Sequence, residues 1–233
     1  MCGRFALSLV AAELSDVFGV AAPEGYRPRW NITPDSPILI VRHGAEGRVA
    51  VLVRWGFLGP WMTDAADPGR QINARLETVA TKPMFKAAFL RGRCIVPADG
   101  FYEWQKQPRG PSRPFFVRAA QGSTLLLAGL WRRNRLADGS LLETAAIVTR
   151  PADPALAAIH PRMPVIVPPE LVDSWLAADT DPAALASELL AWPTTSPSLV
   201  FYAVSRLVND PRRDGSDLIA PVDATGSGPA LLL

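Results

Sequence analysis

Pro37-Ile38-Leu39-Ile40-Val41 and Val49-Ala50-Val51-Leu52-Val53, on either side of His43-Gly44 and Gly47, decide how this chain of 233 residues is read. Two short aliphatic, β-branched runs separated by glycines are the pattern of a β-hairpin. Working outward, similar runs predict strands at Arg93–Val96, Phe115–Arg118, Thr124–Trp131, Thr144–Thr149, Val165–Val167 and Val200–Val204, with a turn at Asp138-Gly139. Helical signals are fewer. The stretch Leu9–Phe18 stops before Gly19 and Pro83–Arg91 stops before Gly92, both C-cap signals. Asp153-Pro154 and Asp181-Pro182 each read as an N-cap followed by proline at the first helical position. A further helix is predicted over Glu170–Ala178. Many short strands with helices between them predict an α+β fold, mainly β, in a single domain. That domain is expected over residues 1–222, with 223–233, rich in Gly, Ser and Ala, as a loose tail.

Composition sets the outer limits. Hydrophobic residues make up 48% and charged residues 20%, which suits an ordinary globule with a sizeable core. The longest apolar runs, such as Leu125-Leu126-Leu127, are far short of a membrane span. No basic, apolar and small-residue succession marks a signal peptide, so a cytoplasmic protein is expected. Two cysteines, Cys2 and Cys94, suggest neither a disulfide framework nor a metal site. The net charge is +2, and the only lysines are Lys82, Lys86 and Lys106, so nearly all cations are arginines. Arginine forks suit phosphate. A GC-rich coding sequence would give the same bias.

The start, Met1-Cys2-Gly3-Arg4, carries more specific chemistry. Loss of Met1 would leave an α-amine and a thiol on Cys2. An α-amine titrates near ~7.7–8.0, well below a lysine near ~10.4, so far more of it is neutral at neutral pH. A 1,2-aminothiol attacks an aldehyde as an imine and closes to a five-membered thiazolidine. Read alone, the dipeptide equally fits an accidental cysteine after an initiator methionine.

Four other segments look unlike plain scaffold. Gln71-Ile72-Asn73-Ala74-Arg75-Leu76-Glu77-Thr78 groups an amide, a guanidinium and a carboxylate. Pro97-Ala98-Asp99-Gly100-Phe101-Tyr102-Glu103-Trp104 sets a carboxylate among rings, where burial would raise its pKa and suit it to proton transfer. Ile159-His160-Pro161-Arg162-Met163-Pro164 places a histidine and an arginine in a turn. Gly56-Phe57-Leu58-Gly59-Pro60-Trp61-Met62 is an aromatic loop of a kind that can stack on bases. Each also has an ordinary structural explanation, and spacing alone does not bring them together.

Taken in order, these segments resemble the SRAP (SOS response-associated peptidase) family, whose members process abasic sites in DNA. The resemblance runs from Met1-Cys2-Gly3-Arg4-Phe5 through Asn31-Ile32-Thr33-Pro34, Trp55-Gly56, Asn73 to Thr78, Met84-Phe85, Ala98 to Trp104, Ala128-Gly129-Leu130-Trp131, Ile147-Val148-Thr149 and His160 to Pro164, ending at Val204-Ser205. It implies a β-barrel-like core with peripheral helices and a basic groove for single-stranded DNA containing abasic sites. It also implies self-processing loss of Met1, lyase-type imine chemistry and a covalent thiazolidine on Cys2, in a DNA-damage role. On this reading Asn73 orients the Cys2 amine, and Glu103 and His160 carry protons. Arg4, Arg75 and Arg162 contact the DNA backbone, and Trp61 stacks on a base. No cofactor or metal is implied, and a monomer is expected, associated with the nucleoid when on DNA.

Two positions depart from the family pattern. Met62 stands where a second aromatic is common, and Pro83 where some members have a basic residue. Both are expected to weaken DNA contact and not catalysis. Cys94 is expected to pack in a core strand and His43 to lie exposed in the hairpin turn. The competing readings are a non-catalytic single-stranded DNA-binding module, and an N-terminal-nucleophile amidohydrolase in which the Cys2 amine acts as base.

Overall fold

The computed structural model describes residues 2–67, 69–178, 180–191 and 198–222. Met1 and the expected tail at 223–233 lie outside the described residues. In chain order, β1 (Phe5–Leu7) and helix α1 (Ala11–Phe18) precede β2 (Arg29–Ile32), and β3 (Pro37–Gly44) and β4 (Gly47–Trp55) form the hairpin. Strand β5 (Asn73–Arg75) and α2 (Pro83–Arg91) lead to β6 (Arg93–Ala98), β7 (Gly100–Gln105) and β8 (Arg113–Ala119). The long β9 (Leu125–Arg135) and β10 (Leu141–Pro151) follow, then α3 (Pro154–Ala157), β11 (Arg162–Pro164), α4 (Val172–Leu176), α5 (Pro182–Ala191) and β12 (Leu199–Ala203).

The strands form two sheets. One runs β11-β10-β4-β3-β6-β9, and β9 pairs again with β10. The path β10-β4-β3-β6-β9 therefore returns to its start as a closed five-stranded barrel, which removes the free edges of those strands. The other sheet is β12-β8-β7-β1-β2. The fold is mainly β with a few peripheral helices, as expected.

The hairpin pairs in register from Pro37↔Arg54 to Gly44↔Gly47. His43 and Gly44 both stay in β3, His43 exposed and opposite Arg48, so the turn begins two residues later than expected, at Ala45. All six residues of β6 are buried, which explains its near-continuous apolar sequence. Cys94 is one of them and packs in the core as expected. Phe5 of β1 meets Trp55 of β4 edge to face at 5.2 Å, joining the two sheets. The Trp55 Nε1–H donates to the Ile72 carbonyl at 2.9 Å, so its buried polar edge is satisfied.

Helix α1 ends at Gly19 in the left-handed region, φ 66°. Helix α2 takes Pro83 at its first turn. The strand expected at Val165–Val167 is displaced to β11, and Ile166 makes only an isolated bridge to Leu127. Pro164 and Pro168 flank that segment and have no N–H to extend a ladder. The helix expected over Glu170–Ala178 is a 3₁₀ turn, Pro169–Leu171, running into α4.

Candidate active site

Cys2 sits just before β1 and is fully buried. Burial pushes its thiol well above the usual range, and the Glu103 carboxylate adds to this. Asn73 opens β5, which lies parallel to β10 with Asn73 opposite Ile147. Its Nδ2–H donates to the Cys2 carbonyl at 3.1 Å. Its Oδ1 is buried with no hydrogen-bond partner among the described residues. A buried amide oxygen without a donor is unfavourable by about 1–3 kcal/mol, so it is poised to accept one.

Glu103 lies in β7 opposite Phe115 of β8. The approach to it depends on Gly100. A Cβ there would come within 2.4 Å of the Val117 carbonyl and 2.5 Å of the Phe116 ring. Only glycine lets β7 and β8 close at that point. Burial raises the Glu103 carboxyl from 4.5 to about 7.

His160 stands in the turn between α3 and β11. The Asp153 carboxylate caps α3 by accepting from the N–H groups of Ala155 at 2.8 Å and Leu156 at 3.0 Å. His160 Nδ1 lies 3.8 Å from Glu103 Oε1. The same nitrogen is 3.1 Å from the Arg162 N–H and 3.1 Å from the Arg162 carbonyl. A neutral ring can accept from that N–H, and a protonated ring can donate to that carbonyl. The backbone of one residue thus serves both charge states, and a proton can come or go with little rearrangement. Burial lowers the His160 pKa, with the charges of Arg162 and Lys106 among the further causes. Burial therefore raises the acid and lowers the base, so that both favour their uncharged forms. A small cleft lined by Phe101, Glu103, Leu156, Ile159, His160 and Arg162 opens beside the pair.

The arginines expected on DNA are placed differently from one another. Arg75 ends β5, two residues from Asn73, and is exposed. Arg4 is half-buried, and its Nη1 donates to Asn31 Oδ1 and to the Val208 carbonyl, both at 2.7 Å. Its guanidinium also lies 5.8 Å from the Trp104 ring centre. Asn31, fully buried, in turn donates to the carbonyls of Asp210 and Arg213, so Arg4 and Asn31 together tie the 208–213 segment to β2. Arg162 forks onto Glu77 and also donates to the Thr149 carbonyl at 2.8 Å. Glu77 was legible only as part of the motif around Asn73. Its role as the clamp on Arg162 depends on strand pairing between β10 and β11.

Trp61 is 59% exposed. Met62 beside it is buried, and its Sδ accepts from the Gly59 N–H at 3.2 Å. Asn134 Nδ2 donates to the carbonyls of Gly59 and Met62 and holds the loop from beneath. Position 62 therefore shapes the loop from inside, and the aromatic face on the surface is Trp61 alone among residues 57–62. Pro83 is exposed at the start of α2. Among the described residues no group of three His, Cys, Asp or Glu side chains could hold a metal, and no helix is long and apolar enough to cross a membrane.

Abasic site processing protein YoqW of Bacillus subtilis is 36% identical over 224 residues, covering 94% of this chain and 99% of that protein. Abasic site processing protein YedK of Escherichia coli is 32% identical over 235 residues, covering 95% and 100%. Abasic site processing protein HMCES of Gallus gallus is 30% identical over 287 residues, covering all of this chain and 83% of that one. A crystal structure from Bordetella bronchiseptica superposes with a TM-score of 0.75 at 28% identity, covering 88% of this chain and all of that one. A second, from Bacteroides thetaiotaomicron, shares the fold with a TM-score of 0.84 at 21% identity, covering 95% and 100%. The family described as SOS response associated peptidase (SRAP) matches over residues 1–211, and the chain belongs to that family.

Proposed function

We propose that this protein processes abasic sites in single-stranded DNA by capturing the opened sugar covalently on Cys2, once Met1 has been removed. The observation that carries this reading is the convergence of Asn73, Glu103 and His160 on Cys2, four positions that strand pairing gathers from distant parts of the sequence.

The chemistry follows from the groups present. His160 protonates the sugar O4′ as the C1′–O4′ bond breaks, and the C1′ hydroxyl gives its proton to Glu103 as the aldehyde forms. The Cys2 amine adds to C1′, held by the Asn73 amide, whose buried Oδ1 accepts one of its hydrogens. The resulting carbinolamine loses water, and Glu103 in its acid form supplies the proton that the departing hydroxyl needs. The thiol then adds across the C=N bond. Sulfur bonds to C1′, nitrogen gains the hydrogen lost by sulfur, and Glu103 relays it. One water leaves overall, with no net oxidation or reduction. Because burial disfavours the free thiolate, proton removal must be concerted with attack, which is where a carboxylate beside the sulfur acts. The same two proton carriers can run the steps in reverse. We confine peptidase activity to hydrolysis of the Met1–Cys2 bond.

The test is direct. A single-stranded oligonucleotide bearing one abasic site should give a band that survives denaturation, with the adduct mass on the peptide that begins at Cys2. Cys2→Ala should abolish it, and intact mass should show loss of Met1. An adduct that persists in Cys2→Ala and maps to a lysine would overturn the proposal, and wild-type binding without any adduct would favour the DNA-binding module instead.

A further inference from the structure

A second basic feature lies beyond the candidate site. The 106–112 loop between β7 and β8 faces the 3₁₀ turn Arg206–Asn209 across a cleft of 550 Å³. Arg109, Arg113 and Arg206 line it, with Gln107 and Ser205 as neutral polar groups. Among the described residues that line it there is no Asp or Glu and no aromatic ring. Asp210, in the adjoining turn, is paired with Arg212. The Arg113 guanidinium lies 5.6 Å from the Phe115 ring centre, which holds it in place at the cleft wall.

The cleft is joined to the candidate site. Gln105, opposite Arg113 in the strand register, donates from Nε2 to the Ala158 carbonyl at 3.1 Å, two residues before His160. Gln107 donates to Gln105 Oε1 at 3.1 Å. Lys106, exposed between them, is close enough for its charge to act on His160. Cationic side chains thus run from the His160 turn through Lys106 to the three arginines.

We propose that this cleft is a phosphate-binding track for the DNA strand that flanks the abasic nucleotide, an inference that rests on the function proposed above. Three guanidiniums between proline and aliphatic walls match the chemistry of a phosphodiester chain, with five donors each in a fixed fork. Its described lining residues offer no aromatic ring on which bases would stack, so the cleft suits backbone more than sequence.

The experiment uses the whole chain and two oligonucleotides. With an intact 20-mer lacking any abasic site, log Kd is measured against log salt. Each phosphate contact on a single strand contributes about 0.7 to the slope. The variant Arg109→Ala/Arg113→Ala/Arg206→Ala should flatten it by about 2. Because Arg113 also packs on Phe115, Arg109→Glu/Arg206→Glu is measured alongside, and its slope should fall by about 1.4. With an abasic trinucleotide, too short to reach the cleft, both variants should form adduct at the wild-type rate. With an abasic 20-mer at low DNA concentration they should be slower. Unchanged slopes in both variants, with wild-type adduct formation, would overturn the track and leave the function standing. Flattened slopes in the variants, with a wild-type protein that forms no adduct, would keep the track and overturn the chemistry.

Discussion

Glu103→Gln tests the proton-carrying role and, separately, the cost of keeping a carboxyl where it is. Burial raises this group from 4.5 to about 7. At about 1.36 kcal/mol per pKa unit, ionised Glu103 leaves the folded state roughly 3 kcal/mol worse off than the protonated acid does. The folded chain holds this proton more tightly than the unfolded chain. The stabilising contribution is therefore fully present below the unfolded value of 4.5, and it is lost as pH rises through about 7. Glutamine has the same shape and no proton to lose. Urea unfolding of both proteins at about pH 5 and about pH 8.5 should show the variant gaining on wild type by roughly 3 kcal/mol over that interval. Asp99, whose carboxyl is also raised by burial, is common to both and cancels in the difference. The same variant should form adduct ~10²–10⁴-fold more slowly. A protein that becomes relatively more stable and much less active with one substitution is the signature of a carboxyl kept for chemistry. Parallel stability curves for the two proteins would refute the raised value, and with it the argument for Glu103 as acid.

Asn73→Ala removes the bond to the Cys2 carbonyl, so it should cost about 1 kcal/mol in urea unfolding and slow adduct formation; a wild-type rate would exclude a positioning role. Glu77→Gln releases the Arg162 fork and removes a negative charge close to Arg75, so the salt dependence of single-stranded DNA binding should steepen by up to about 0.7. No change there would mean that Arg162 stays with Thr149 and never meets phosphate. Arg75→Glu should weaken binding to all sequences and flatten the same slope by about 0.7, whereas Trp61→Ala should cost ~1–3 kcal/mol of binding with the slope intact. Salt titrations of the two variants that look alike would contradict the division between phosphate contact and stacking.

The parts of the fold legible in the sequence are those whose instructions are local. The β3–β4 hairpin closes on its own two glycines, α1 ends at a glycine with positive φ, and Asp153 caps α3 with its own carboxylate. The strands that escaped notice are β1, β2, β5 and the six-residue β7; the first three are only three or four residues long and owe their form to distant partners. Phe5 is extended because Ile32 and Phe101 pair with it on either side, and nothing near residue 5 says so. The candidate site divides in the same way. Cys2, Asn73, Glu103 and His160 could be picked out by residue type and motif, but their meeting depends on β5 and β11 both docking on β10. The arginines were the least legible. Arg4, Arg75 and Arg162 look alike in the sequence, yet Asn31 occupies the first and Glu77 the third, while the second lies at the surface.

The order of the strands has a consequence for how the protein comes into being. Asn73 is made 71 positions after Cys2, and β11, which carries the Arg162 backbone against His160, follows only after Pro151. At ~5–20 residues per second, synthesis alone separates the sulfur from its last partner by on the order of ten seconds or more. Until β10 is made, β5, which supplies Asn73, has no strand to dock on. Completion of β10 ends the exposure, because that one strand receives β4, β5, β9 and β11. The candidate site is therefore assembled in a single late event, and a growing chain has an uncovered sulfur for as long as it lacks its central strand.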